Sequence, residues 1–115
     1  MPLLSMSISN KIDENIKSKL LKQLSEIVSE CFNKPENYVM IVVEEKAIMM
    51  SGTTEPAAFA LLKSIGGITA KNNKMFTSKL CALLKDQFGI ESDRVYINFS
   101  DVSAVNWGWN GDTFA

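Results

Sequence analysis

Few groups in this chain of 115 residues could carry a reaction, and the first stands at position 2, in "MPLLSMSISN". Methionine is normally trimmed when a small residue follows it, and trimming here would leave the secondary amine of Pro2 as a free terminus. Such an amine is a rigid, nucleophilic base whose pKa shifts with its surroundings. Taken singly, Pro2 also suits a plainer role: it lacks a backbone N–H, so it opens a strand without losing a ladder bond. The other familiar chemistries lack their parts. The chain has no histidine, and Cys31 and Cys81 stand far apart with no Cys-x-x-Cys. Metal centres and Ser-His or Cys-His catalysis are therefore not expected.

The elements that must position such an amine can be read from patterning. The length fits one domain over residues 1–115, with 46% apolar and 22% charged residues, an ordinary globular composition. Twelve basic residues against thirteen acidic ones, with no basic tract among aromatics, leave no footprint for nucleic acid. Runs such as "YVMIVV" are too short to enter and span a bilayer, and no classical signal segment is visible. "PLLSMSI" at 2–8 reads as a buried strand. From Ile12 the period becomes helical through Ile16, Leu20, Leu24, Ile27, Val28 and Cys31, with Asn10 as the expected N-cap and "NKPEN" as the stop. "YVMIVVEE" then predicts a β-branched strand.

The second half repeats this plan. "AAFALLKSIGG" has alanines and leucines that favour helix, but its place in the pattern assigns a strand. Phe76, Leu80, Leu83, Leu84 and Phe88 share a helix face, closed by Gly89. In "DRVYINFSD", Val95, Ile97 and Phe99 alternate with Arg94, Tyr96 and Asn98. Sliding one half by 57 residues lays "PLLSMSI" on "FALLKSI" and "YVMIVV" on "VYINFS". The expected fold is α+β: two tandem β-α-β units forming a four-stranded mixed sheet, with both helices on one face. The other face, rich in apolar residues, should meet a partner subunit. The aromatic, Gly-rich tail "VNWGWNGDTFA" should add a short strand or a pocket edge.

Pro2, "NKPENY", "SGTTEP", "KSIGGI", "DRVYINF" and "GWNGDTFA" together, in order and spacing over the whole chain, resemble the macrophage migration inhibitory factor (MIF) family of the tautomerase superfamily. The resemblance implies a homotrimer whose sheets wrap a central channel, with active sites at subunit boundaries. It implies keto–enol tautomerisation of phenylpyruvate-like and dopachrome-like substrates without a cofactor or metal. Carried over by position, the Pro2 amine is the base, and Lys34 binds the substrate carboxylate. Ser64 and the Ile65 backbone line the same pocket, and Trp109 and Phe114 form its aromatic walls. Tyr96 and Asn98 would arrive from the neighbouring subunit. The residue types agree with the chemistry, because proton abstraction beside a carbonyl needs a near-neutral base and a cation for the anionic substrate.

Two features depart from the family pattern. Some members carry a Cys-x-x-Cys after the "EP" pair, where this chain has "AAFA" at 57–60, so a thiol-oxidoreductase activity through that motif is not expected. Trp107 places a second large aromatic beside Trp109, expected to narrow the pocket mouth, and Lys63 adds a second cation nearby. Taken singly, Lys34 would be a solvated residue before a turn and Tyr96 a half-buried strand residue. Cys31 and Cys81 would be inert buried thiols. Only the joint pattern favours an isomerase. The alternatives are a cytokine-like protein that binds a cell-surface receptor with incidental tautomerase activity, and a purely structural trimer. With no signal peptide, the resemblance implies a cytoplasmic location, export by a non-classical route, or both.

Overall fold

β1 (Pro2–Ile8) and β3 (Ala58–Ser64) run antiparallel through the middle of the sheet, and on each strand every second residue is buried. That period of two is what one covered and one uncovered face demands. The computed structural model describes all 115 residues. α1 (Glu14–Phe32) carries the chain from β1 to β2 (Met40–Glu45), and α2 (Ala70–Phe88) carries it from β3 to β4 (Val95–Asp101). Each helix is thus a crossover between parallel strands, and the sheet order is β2-β1-β3-β4. Two tandem β-α-β units and a mixed sheet are as the sequence predicts. A short hairpin, β5 (Gly108–Trp109) and β6 (Asp112–Thr113), closes the chain over the tight turn Asn110-Gly111. Both turn residues have positive φ, as the hairpin turn types with matching twist require.

The core lies between the helices and one face of the sheet. Leu20, Leu24 and Val28 of α1 and Phe76, Leu80 and Leu84 of α2 meet Leu4, Met6, Ile8 and Leu62, all essentially inaccessible. Each such leucine contributes about 1.5–3 kcal/mol of transfer free energy. Ala58 and Ala60 also point into this layer, where a small side chain lets the helices approach the sheet. Phe32, Phe76 and Phe99 form an aromatic trio at one end, with centroids 5.6 to 6.3 Å apart. No helix lies on the opposite face, where register aligns Ser7, Phe59 and Tyr96, then Ser5, Leu61 and Asn98. No helix is long and apolar enough to cross a membrane.

Four local expectations are corrected. The α1 N-cap is Asp13, whose carboxylate accepts from the Ile16 N–H at 2.8 Å. Asn10 instead reaches across to the Phe88 carbonyl at 3.1 Å, because the strand–helix turn is three residues longer than the capping signal suggested. Tyr38 is not in β2: Pro35 starts a 3-10 turn over Glu36–Tyr38, with the Tyr38 N–H on the Pro35 carbonyl. Arg94 likewise precedes its strand and is buried, its guanidinium donating to the carbonyls of Met50, Thr53, Glu55 and Pro56. Finally, the structural repeat is 56 rather than 57 residues: β1 starts at 2 and β3 at 58, α1 at 14 and α2 at 70. A slip of one residue would turn every strand side chain to the wrong face, so burial fixes the repeat.

Candidate active site

Three segments converge at the end of the sheet where β1 begins. The first is the C-terminus of α1. Asn33 adopts the left-handed conformation that ends the helix, and its N–H returns to the Ser29 carbonyl. The Ser29 hydroxyl donates to the Lys34 carbonyl at 2.6 Å, and Pro35 forbids another helical turn. Phe32, held in the aromatic trio, anchors this end, so Lys34 leaves the helix in a defined direction.

The second segment follows β3. Ser64 is buried and donates its hydroxyl to the Gly66 carbonyl at 2.8 Å, while its own carbonyl accepts from Val102. Gly67 has φ +81°, and a Cβ there would stand 3.2 Å from the Phe32 carbonyl and 3.4 Å from Cε of Lys34. The glycine therefore lets the lysine stem pass. Lys34 Nζ then donates to the Ile65 carbonyl at 2.9 Å, which uses one of three donors and leaves two for a ligand. The Asp101 carboxylate accepts from the Gly66 N–H at 3.1 Å, and Asn72 donates to the Gly67 carbonyl at 2.9 Å. This loop is fixed from both sides.

The third segment is the C-terminal hairpin. Trp109 stacks on Phe114 at 5.4 Å and 11°, and Tyr38 meets the Trp109 ring edge-on at 5.5 Å. The Phe114 N–H on the Trp107 carbonyl ties the tail to the hairpin.

Between these segments lies a cavity of about 400 Å³, lined by Met1, Lys34, Tyr38, Ile65 and Phe114 together with Asn33, Pro35 and Ala104. A second cavity of about 360 Å³ adjoins it through Met1 and Tyr38 and reaches Pro2, Trp107 and Trp109. The free amine in the structure is that of Met1. Partial burial, and secondarily the Lys34 charge, hold its pKa below the ordinary α-amine value, because both disfavour an added positive charge. An amine whose neutral form is favoured beside a cation with free donors, in an aromatic cleft, can take a proton from a bound anionic carbon acid.

Of the residues singled out from sequence, Lys34, Ile65 and Phe114 share the first cavity, and Pro2 and Trp109 line the second. Ser64 pairs with Pro2 in the sheet, and its hydroxyl is spent on Gly66. Tyr96 and Asn98 lie on the uncovered face, Tyr96 63% exposed, and line neither cavity of their own chain. Trp107 lines the second cavity, with Pro2 and Trp109, and does not line the first. Tyr38 was missed. The strand pattern of "YVMIVVEE" places it at a strand start, whereas Pro35 three positions earlier is the signal for the turn that carries it to the cavity. Away from the site, Cys31 is buried and Cys81 half-buried, and burial raises both thiol pKa values, a hydrogen bond with Ser92 partly offsetting it at Cys81.

The macrophage migration inhibitory factor family model matches residues 1–115. Among curated proteins, the chain is 42% identical to rat (Rattus norvegicus) macrophage migration inhibitory factor over 96 residues, covering 83% of this chain and 84% of that protein. It is 37% identical to the Trichuris trichiura homologue over 115 residues, covering 99% of this chain and all of that protein. Among solved structures, the homologue from Prochlorococcus marinus superposes with a TM-score of 0.91 at 36% identity, covering 98% of this chain and 99% of the other. With sequence, topology and length in agreement, the chain belongs to the macrophage migration inhibitory factor family, in the tautomerase superfamily.

Proposed function

We propose that this protein is a cofactor-independent keto–enol tautomerase of phenylpyruvate-like 2-oxo acids, with the secondary amine of Pro2, freed by loss of Met1, as its base. The observation that carries this reading is one cleft shared by the chain's amino terminus, Lys34 and an aromatic wall. Pro2 is buried and paired with Ser64, so removing Met1 would move the amine inward, where desolvation favours its neutral form further.

In the proposed reaction, Lys34 and the Ile65 segment hold the substrate carboxylate while Tyr38, Trp109 and Phe114 flank the ring. The neutral Pro2 nitrogen takes a proton from C3 of the keto acid. The C–H electron pair forms the C2=C3 bond, and the carbonyl pair moves onto oxygen. Protonation of that oxygen gives the enol, and the base is regenerated; the reverse sequence returns the ketone. Tyr96 and Asn98 face away from this cleft in their own chain, so we propose that they reach the site of a neighbouring subunit in a homotrimer. The uncovered sheet face, with Phe59, Leu61 and Tyr96 on it, supports that arrangement.

The test is phenylpyruvate tautomerisation by two forms of the protein, distinguished by mass spectrometry as retaining or lacking Met1. The trimmed form should turn over and the retained form should not, because a peptide-bonded proline nitrogen is not basic. Equal rates would exclude Pro2 as the base.

A further inference from the structure

We propose that Lys63 and Trp107 form a second anion subsite beside the Pro2 cleft, which gives the protein a preference for aromatic 2-oxo acids bearing a second acidic group. This deepens the tautomerase reading and rests on it for the orientation of the ligand. A third cavity, of about 320 Å³, is lined by Leu3, Lys63, Val102, Asn106, Trp107 and Gly108. Leu3, Trp107 and Gly108 also line the Pro2 cavity, so the two hollows share a wall and Trp107 stands between them.

The chemistry of this hollow is that of an acceptor site for an anion. Lys63 is the only charged residue lining it, and none of the four ion pairs in the chain involves Lys63. The neighbouring carboxylate, Asp101, is engaged elsewhere, on the Gly66 N–H. Asn106 brings an amide that can also donate to an acid oxygen. Trp107 is half-buried and offers a face for a planar ring. Lys34 lines a different hollow, which shares Met1 and Tyr38 with the Pro2 cavity.

Register brings the backbones that carry the two cations' anchor points close together. Lys63 pairs with Leu3 and Ser64 with Pro2, so Lys63 stands two residues before Ile65, whose carbonyl holds Lys34 Nζ. At ~3.3 Å per extended residue, the two backbone anchor points lie ~7 Å apart. The Lys63 ammonium stands at the end of a flexible stem, so it can reach an acid on the ring of a ligand whose carboxylate rests on Lys34. A carboxylate on Lys34 would leave the ring among the aromatics and carry the second acid past Trp107 to Lys63.

The experiment compares phenylpyruvate with its para-carboxyl derivative on the Met1-free protein and on its Lys63→Gln, Lys63→Arg and Trp107→Val variants. The readouts are KM and the dissociation constant from tryptophan fluorescence. Exposed ion pairs are individually weak, so a modest effect is expected: the wild type should favour the dianion about fivefold. Lys63→Gln should bring the ratio of the two constants to about one, Lys63→Arg should keep it, and Trp107→Val should reduce it. A wild-type ratio near one, or a ratio unchanged by Lys63→Gln, overturns the subsite. If phenylpyruvate is bound but never isomerised, the tautomerase reading fails, and the ratio of dissociation constants still decides the subsite.

Discussion

Lys34 concentrates two physical roles in one side chain. In the proposed reaction its charge would hold an anionic ligand, and the same charge disfavours protonation of the nearby Met1 amine. A charge-assisted hydrogen bond is worth roughly 1.5–3 kcal/mol, so Lys34→Ala should raise KM for phenylpyruvate by about one order of magnitude or more. The loss should fall mainly on KM, because the carboxylate is held in the ground state and the transition state alike. The pH profile should move as well. The proposed base works when neutral, so kcat/KM should rise as pH climbs through its pKa, and the surroundings that depress the Met1 amine should act on the Pro2 amine in the same direction. Removing Lys34 shifts that rise to higher pH, but only by part of the depression, since burial is the larger cause. Unmoved KM and an unmoved profile would reduce Lys34 to a surface lysine. The same depression affects stability. The unfolded chain binds the proton more readily, so stability increases with pH through the window between the folded value and ~8.

At the scale of elements, the two ends of α1 do different work. Asp13 caps the N-terminus, and the C-terminus delivers Lys34 to the cleft. The helix has 19 residues, so these ends lie ~27 Å apart at 1.5 Å per residue. Asp13→Ala should therefore cost about 1 kcal/mol of stability with kcat/KM retained. Gly67→Ala acts at the other end. Its positive φ costs an L-residue roughly 1–2 kcal/mol, and the new Cβ meets the Phe32 carbonyl and the lysine stem. Melting temperature and activity should then fall together, with KM rising as Lys34 is displaced. The pair of variants, followed by thermal melts and phenylpyruvate kinetics, separates lost stability from lost placement. Full activity in Gly67→Ala would show that the lysine does not need this path.

At the scale of the molecule, a sheet covered on one face leaves Tyr96 and Asn98 without a site in their own chain. A homotrimer would supply that site, and sedimentation equilibrium should give three times the 12.8 kDa chain mass. Mixing inactive Pro2→Gly protein with inactive Asn98→Ala protein, under confirmed subunit exchange, should regain part of the activity. No recovery would place the whole site within one chain. Much of this architecture was legible in the residues. The helical spacing from Ile16 to Cys31, the stop at "NKPEN", the Gly-Gly stop and the short strand of the aromatic tail are local signals, set by side-chain periodicity and allowed φ values. The repeat was legible too, but only to within one residue, because similar apolar strings align equally well at 56 or 57. Burial against the helices chose 56, since one slipped residue exposes Leu4 and Leu62. Arg94 looked like a polar strand residue until four carbonyls of a distant loop were folded around it. Tyr38 looked like a strand start until the Pro35 turn carried it to the cleft. The sequence by itself determined the element types, their order and the family. Tertiary structure alone decided which residues share a cleft, because side chains distant along the chain meet only after the helices have packed.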